Sequence, residues 1–162
     1  MKKKINIIKT IDGINFVDGY IDHSGIYHPI WGEEVIKTID ENSEEFKYAK
    51  WIKNTFGGRI DIVPTINTAK KAQNTAKTQT PDYIWNNERW DLKGINGNTK
   101  NTISHIFEDY KNQTDNLILF TRNTKMTNKE IITNISKSLK RYSNYYNRVL
   151  FIKNYKKIKE FK

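Results

Sequence analysis

The chain has 162 residues and a mass of 19.2 kDa, with 28 Lys and Arg against 18 Asp and Glu, for a net charge of +10 and a pI near 9.6. That length suits one domain with room for a small appendage; four Trp, nine Tyr and seven Phe exclude a disordered chain despite a mean hydropathy of −0.78, and the absence of cysteine excludes disulfides and thiolate metal sites. The surplus of positive charge favours a polyanionic partner, and no apolar run approaches membrane-spanning length.

In chain order, residues 4–31 read as short strands at Ile5–Ile11, Asn15–Val17 and Gly19–Ile21, punctuated by Gly13, Gly19 and Gly25. Residues 1–42 carry five Lys against seven acids, a balance of −2, so the rest of the chain carries +12. This contrast predicts a small β-rich appendage over 1–42 ahead of a main domain at 43–162. His23 and His28 lie near Trp31, but they lack the third nearby ligand that a metal site needs. Ile5–Lys9 is too short and polar for a signal-peptide core.

Ser43 is a suitable N-cap for a helix from about Glu44 to Thr55, closed by Gly57-Gly58. Glu45, Ala49, Ile52 and Phe56 then share one face by 4-3-4 spacing, which places one carboxylate in line with the inward stripe. Arg59–Val63 reads as a strand ended by Pro64, and residues 65–80 as a polar, lysine-bearing loop or short helix.

The segment Pro81–Gly94 reads as a β-hairpin. Asn86-Asn87 suits a two-residue turn, because asparagine tolerates the positive φ such turns require. That turn pairs Trp85 with Glu88, Ile84 with Arg89 and Tyr83 with Trp90, and sets Asp82 opposite Asp91. Like charges directly opposed destabilise a hairpin unless something lies between them. A divalent cation is the natural occupant, and oxygen ligands suit Mg2+ or Mn2+. Lys93, two residues after Asp91, shares its face. A phosphodiester held on such a cation can be attacked by an activated water while the ammonium stabilises the developing charge.

After Lys93, Gly94–Asn98 reads as a turn, and Thr99 or Asn98 as the cap of a helix running to about Asn112. Its inward stripe is Thr99, Ile103, Ile106, Tyr110 and Gln113, so Gln113 is placed to bond the lysine, a water or a phosphate. Thr99 and Lys100 stand where the positive end of the helix dipole can hold a phosphate. A strand at Asn116–Thr121, a helix at Asn128–Arg141 capped by Thr127, and strands at Arg148–Lys153 and Lys156–Phe161 complete the chain. From Lys137 to Lys162 there are nine Lys and Arg and one Glu, mixed with Tyr142, Tyr145, Tyr146, Phe151, Tyr155 and Phe161. Such a mixture can contact phosphates and stack on bases, or fill a core between solubilising lysines.

Pro81-Asp82 followed by Asp91-Leu92-Lys93 resembles the PD-(D/E)xK signature of restriction-endonuclease-like nucleases. The element order from Ser43 matches the αβββαβ core with a mixed sheet that this resemblance implies. It also implies an acid from the first helix, for which Glu45 is the candidate. The resulting site would have Asp82, Asp91 and Glu45 on the metal, Lys93 stabilising charge, and Gln113 beside it, with Thr99, Lys100, Lys140, Arg141, Arg148, Lys156 and Lys157 gripping the nucleic acid.

A narrower resemblance runs from Glu44 to the C-terminus. Glu45-Phe46, Ala49, Trp51-Ile52, Phe56-Gly57-Gly58, Pro81-Asp82-Tyr83, Trp90-Asp91-Leu92-Lys93-Gly94 and Gln113-x-x-Asn116 resemble the C-terminal tRNase toxin domains of CdiA contact-dependent inhibition proteins. The likeness implies a soluble nuclease that cuts tRNA in the cytoplasm of a competing bacterium after delivery from another cell, with an immunity protein protecting the producer. Three alternatives stay open at the level of sequence. A DNA endonuclease can use the same site. A metal-independent ribonuclease of the barnase/EndoU/colicin/RelE type would use the substrate 2′-hydroxyl with His105, Lys93 or Lys100 and Thr99. A non-catalytic nucleic-acid-binding module would keep the paired acids for structure.

Overall fold

The structure is a computed structural model that describes residues 6–21, 27–29, 39–63 and 81–162. Among these residues it is mixed α/β, with ten strands and three helices. The chain divides into two compact units, Met1–Trp90 and Asp91–Lys162. His23, Trp31 and the polar segment 65–80 lie outside the described residues.

In the first unit, β1 (Ile7–Ile11) and β2 (Ile14–Val17) form an antiparallel hairpin. β2 runs parallel to β5 (Ile60–Ile62), which pairs antiparallel with β6 (Tyr83–Trp85). β3 (Gly19–Ile21) and β4 (Tyr27–Pro29) make a separate two-stranded ladder that includes His28. Helix α1 (Glu44–Phe56) starts where expected, with the Ser43 hydroxyl accepting from the Phe46 N–H. Its inward face is a correction to the expected stripe. Phe46, Tyr48, Ala49 and Ile52 are buried, Glu45 is exposed, and Phe56 is 38% exposed. The Phe46 ring stacks on Phe16 at 6.1 Å, and that contact turns the face at 46 inward in place of the one at 45.

The hairpin turn and the three pairs next to it form as expected. Asn86 and Asn87 adopt φ of 51° and 67°, and the register is Trp85↔Glu88, Ile84↔Arg89 and Tyr83↔Trp90. Asn86 also caps the segment leading into β5, its side-chain oxygen accepting from the Arg59 N–H at 3.0 Å. The second strand, β7, extends over Glu88–Asn96, so Gly94, Ile95 and Asn96 are strand and not turn. Ile95 is fully buried, and its burial draws the strand onward past Lys93.

From Asp91 the second unit contains the rest of β7, α2 (Asn101–Tyr110), β8 (Asn116–Asn123), α3 (Asn128–Arg141), β9 (Arg148–Lys153) and β10 (Lys156–Phe161). The strand order is β7-β8-β9-β10; β8 and β9 are parallel, and β9 and β10 are antiparallel around a turn at Asn154-Tyr155. A parallel pair requires a crossover, and α3 supplies it. One face of these strands carries Ile95, Leu117, Leu119, Val149 and Phe151 into a core with Ile103 and Phe107 of α2 and Ile131 and Ile135 of α3. No helix among the described residues is long and apolar enough to cross a membrane.

Two helix ends follow from local chemistry. At α3, Thr127 and Glu130 form a capping box: the Thr127 hydroxyl accepts from the Glu130 N–H at 3.2 Å, and the Glu130 carboxylate accepts from the Thr127 N–H at 2.7 Å. Thr127→Ala is expected to lower stability by about 1 kcal/mol, measured as a urea-midpoint shift at constant slope. At α2 the expected cap is corrected. The Asn98 side chain accepts from the Lys125 N–H and Thr99 bonds the Thr102 hydroxyl, leaving Lys100 as an N-cap without a side-chain bond.

Candidate active site

Asp91 and Lys93 stand two residues apart on β7, so the pleat projects them from the same side. Lys93 Nζ lies 3.6 Å from Asp91 Oδ2, with the carboxylate side chain 0% and the lysine side chain 19% exposed. The same ammonium sits over the Tyr110 ring, 4.2 Å from its centroid. Lys93 is therefore held between a buried carboxylate and the electron-rich face of an aromatic ring. Ile95, the next residue on that face, enters the core. The pair thus continues the packed surface of the second unit.

Tyr146 lies near enough to feel the carboxylate. Burial first, then the negative charge of Asp91, holds its phenol well above the usual tyrosine range. Its protonated hydroxyl donates to the Phe107 carbonyl at 2.7 Å, tying the segment before β9 to α2. An ammonium fixed beside a buried carboxylate is chemically suited to stabilising negative charge that develops on a bound oxyanion.

The other expected site residues are placed as follows. Asp82 and Glu45 belong to the first unit. Asp82 is half-buried, and its carbonyl accepts from the Val63 N–H at 3.0 Å. The next residue, Tyr83, donates its hydroxyl to the Glu45 carbonyl at 2.6 Å, so the start of α1 is tied to the start of β6. Gln113 is not on a helical stripe. α2 ends at Tyr110, and the Gln113 N–H closes a turn on the Tyr110 carbonyl at 2.9 Å. Thr114, which bonds the Asn116 backbone through its hydroxyl, steers the chain out of the helix and into β8. His105 is exposed on α2. Asp61, a buried carboxylate of β5, carries no motif in the sequence. Both of its oxygens accept from Arg59 Nε at 3.0 Å, and one accepts from Asn15 at 3.2 Å, which gives it a structural role between β2 and β5.

The family model of the contact-dependent growth inhibition CdiA C-terminal domain matches residues 78–158, half of the chain. The chain belongs to the CdiA C-terminal domain family. No curated protein matches it. Among solved structures, a CdiA-CT/CdiI toxin and immunity complex from Burkholderia pseudomallei is similar at 18% identity with a TM-score of 0.49, over 83% of this chain and 92% of that one.

The CdiA C-terminal domain match takes in Asp82, Asp91, Lys93, Tyr110 and Gln113, whereas Glu45 falls outside it. It also covers most of the basic part of the chain: Asp91–Lys162 holds fifteen Lys and Arg against six Asp and Glu, or +9 of the total +10. Thr99, Lys100, Lys140, Arg141, Lys156 and Lys157 are exposed. Arg148 is half-buried and bonds Glu160 through Nε at 3.0 Å and Nη2 at 2.7 Å, a pair that fastens β9 to β10. Burial opposes ionisation of Glu160, but Arg148 outweighs it and holds the carboxyl below its ordinary range. Of the six tail aromatics, Tyr142, Tyr146, Phe151 and Phe161 are buried, so base stacking is open only to Tyr145 and Tyr155.

For a divalent metal the donor chemistry is mixed. The carboxylate oxygens of Asp91 suit Mg2+ or Mn2+. Among the described residues, however, no three of His, Cys, Asp or Glu gather into a metal-holding group.

Proposed function

We propose that the chain is a nuclease toxin that hydrolyses phosphodiester bonds, with tRNA as substrate, a restriction-endonuclease-like core at residues 43–162 and an immunity protein protecting the cell that makes it. The observation that carries this reading is the Asp91–Lys93 pair, a buried carboxylate and an ammonium 3.6 Å apart in the Asp-x-Lys spacing. Membership of the contact-dependent inhibition family supports toxicity, delivery to another cell and neutralisation by an immunity protein. The +9 charge of Asp91–Lys162 supports a polyanionic substrate.

In this reading Asp91 would offer its carboxylate to Mg2+ or Mn2+. When bound, the ion would offset phosphate charge and lower the pKa of the water it holds. Lys93 stabilises the charge that builds on the phosphoryl oxygens in the transition state. Lys100, Lys140, Arg141, Lys156 and Lys157 neutralise backbone phosphates, with Thr99 and Gln113 as hydrogen-bonding partners and Arg148 holding β10 in place. Binding should therefore weaken steeply as salt rises.

The test incubates the protein with total tRNA and, separately, plasmid DNA, each with Mg2+, Mn2+ or chelator. Metal-dependent cutting of tRNA alone is expected. Cutting of DNA would make the chain a DNA endonuclease, and cutting that survives chelator would replace the metal reading by 2′-hydroxyl chemistry. Salt-sensitive binding without cutting would leave a binding module.

A further inference from the structure

We propose that Tyr110 is a positioning residue for this nuclease, whose ring fixes the place of the Lys93 ammonium. The inference rests on the reading of Lys93 as the charge-stabilising group and extends the site to a residue of α2. A lysine stem is long and flexible, and the ammonium at its end is a point charge with no geometry of its own. Asp91 constrains it as a tether 3.6 Å long. The Tyr110 face, 4.2 Å from Nζ, adds a constraint of its own, attracting the cation through the ring quadrupole without adding a competing charge.

The helix end that carries the ring is itself well anchored. Tyr110 is the last residue of α2, one turn beyond the fully buried Phe107, whose carbonyl receives the Tyr146 hydroxyl at 2.7 Å. On its C-terminal side, the Gln113 N–H bonds the Tyr110 carbonyl at 2.9 Å. The backbone that carries the ring is thus fixed by a bond and by packing of Phe107 that do not involve the lysine. An ammonium misplaced by about 1 Å loses much of its catalytic effect.

The experiment compares cleavage rates of wild type, Tyr110→Phe, Tyr110→Leu and Tyr110→Met, each also combined with Lys93→Met, on total tRNA or plasmid DNA, whichever wild type cuts. Thermal melting confirms that each variant is folded. Tyr110→Phe keeps the ring and should cleave within about twofold of wild type, whereas Tyr110→Leu and Tyr110→Met should fall about tenfold. In the Lys93→Met background the ringless exchanges should cause no further loss, because there is no ammonium left to place. Ringless variants that cleave like wild type, or a loss that persists without Lys93, would overturn the proposal. So would Tyr110→Phe failing as badly as Tyr110→Leu, since the hydroxyl would then be the working group. Full activity of Lys93→Met alone would instead show that the reading of Lys93 itself is wrong, and the role of Tyr110 would fall with it.

Discussion

Lys93→Met and Asp91→Asn should each lower the rate of phosphodiester cleavage by about 10³-fold. The two exchanges act on opposite members of one pair, so they differ in what else they do. Methionine keeps the apolar reach of the lysine stem and removes the ammonium 3.6 Å from a carboxylate that is 0% exposed. Removing one partner of a buried pair takes a favourable charge interaction from the other in a poor solvent. With Lys93 itself 19% exposed, water relieves part of this, and the stability cost should be about 2–3 kcal/mol. Asparagine keeps the shape of Asp91 and stays neutral, so Asp91→Asn should cost less stability for the same loss of rate. Single-turnover rates together with urea melts separate the two quantities. A rate within tenfold of wild type for either folded variant would remove the pair from the chemistry.

Phe107→Ala should destabilise the second unit by about 3–5 kcal/mol. Phe107 is fully buried, and its ring lies 6.2 Å from the Tyr142 ring and 5.0 Å from the Tyr146 ring. Truncation removes the apolar surface that holds α2 against the strands and opens a cavity between two tyrosines. The surroundings cannot collapse freely, because the Tyr146 hydroxyl is tied to the Phe107 carbonyl. A domain of this size has about 5–15 kcal/mol in total, so the variant should lose a large part of its reserve. Urea denaturation followed by tyrosine fluorescence measures it, and a loss below about 1 kcal/mol would mean that α2 is held in some other way.

The parts of this molecule that were legible in the sequence are those set by short-range chemistry. The Asn86-Asn87 turn fixes three cross-strand pairs, and Thr127 with Glu130 fixes where α3 begins. Asp91 and Lys93 sharing a side follows from the two-residue period of a strand. The features that were not legible depend on partners distant in sequence. The phase of α1 is chosen by Phe46 stacking on Phe16, thirty residues away, and this leaves Glu45 exposed. Gly94 read as a turn residue, yet it lies within β7, where a Cβ would stand 2.9 Å from the Arg122 guanidinium carbon and 3.1 Å from the Phe120 ring. Its glycine character answers to side chains of β8. Tyr110 carried no signal beyond its place on an amphipathic helix, and its contact with Lys93 depends on where that helix ends. Most tail aromatics were ambiguous for the same reason. Alternation with lysine is the pattern both of a core strand and of a basic stacking surface, and here four of the six are core.

The most direct measurement of the central claim is cleavage of total tRNA by wild type and by folded Asp91→Asn, side by side in Mg2+. Discrete tRNA fragments from wild type and none from the variant are the predicted result. Equal cleavage by both, or intact tRNA with both while the wild type is folded and binds, would contradict the assignment of Asp91 and Lys93 as the centre of a tRNA-cleaving site.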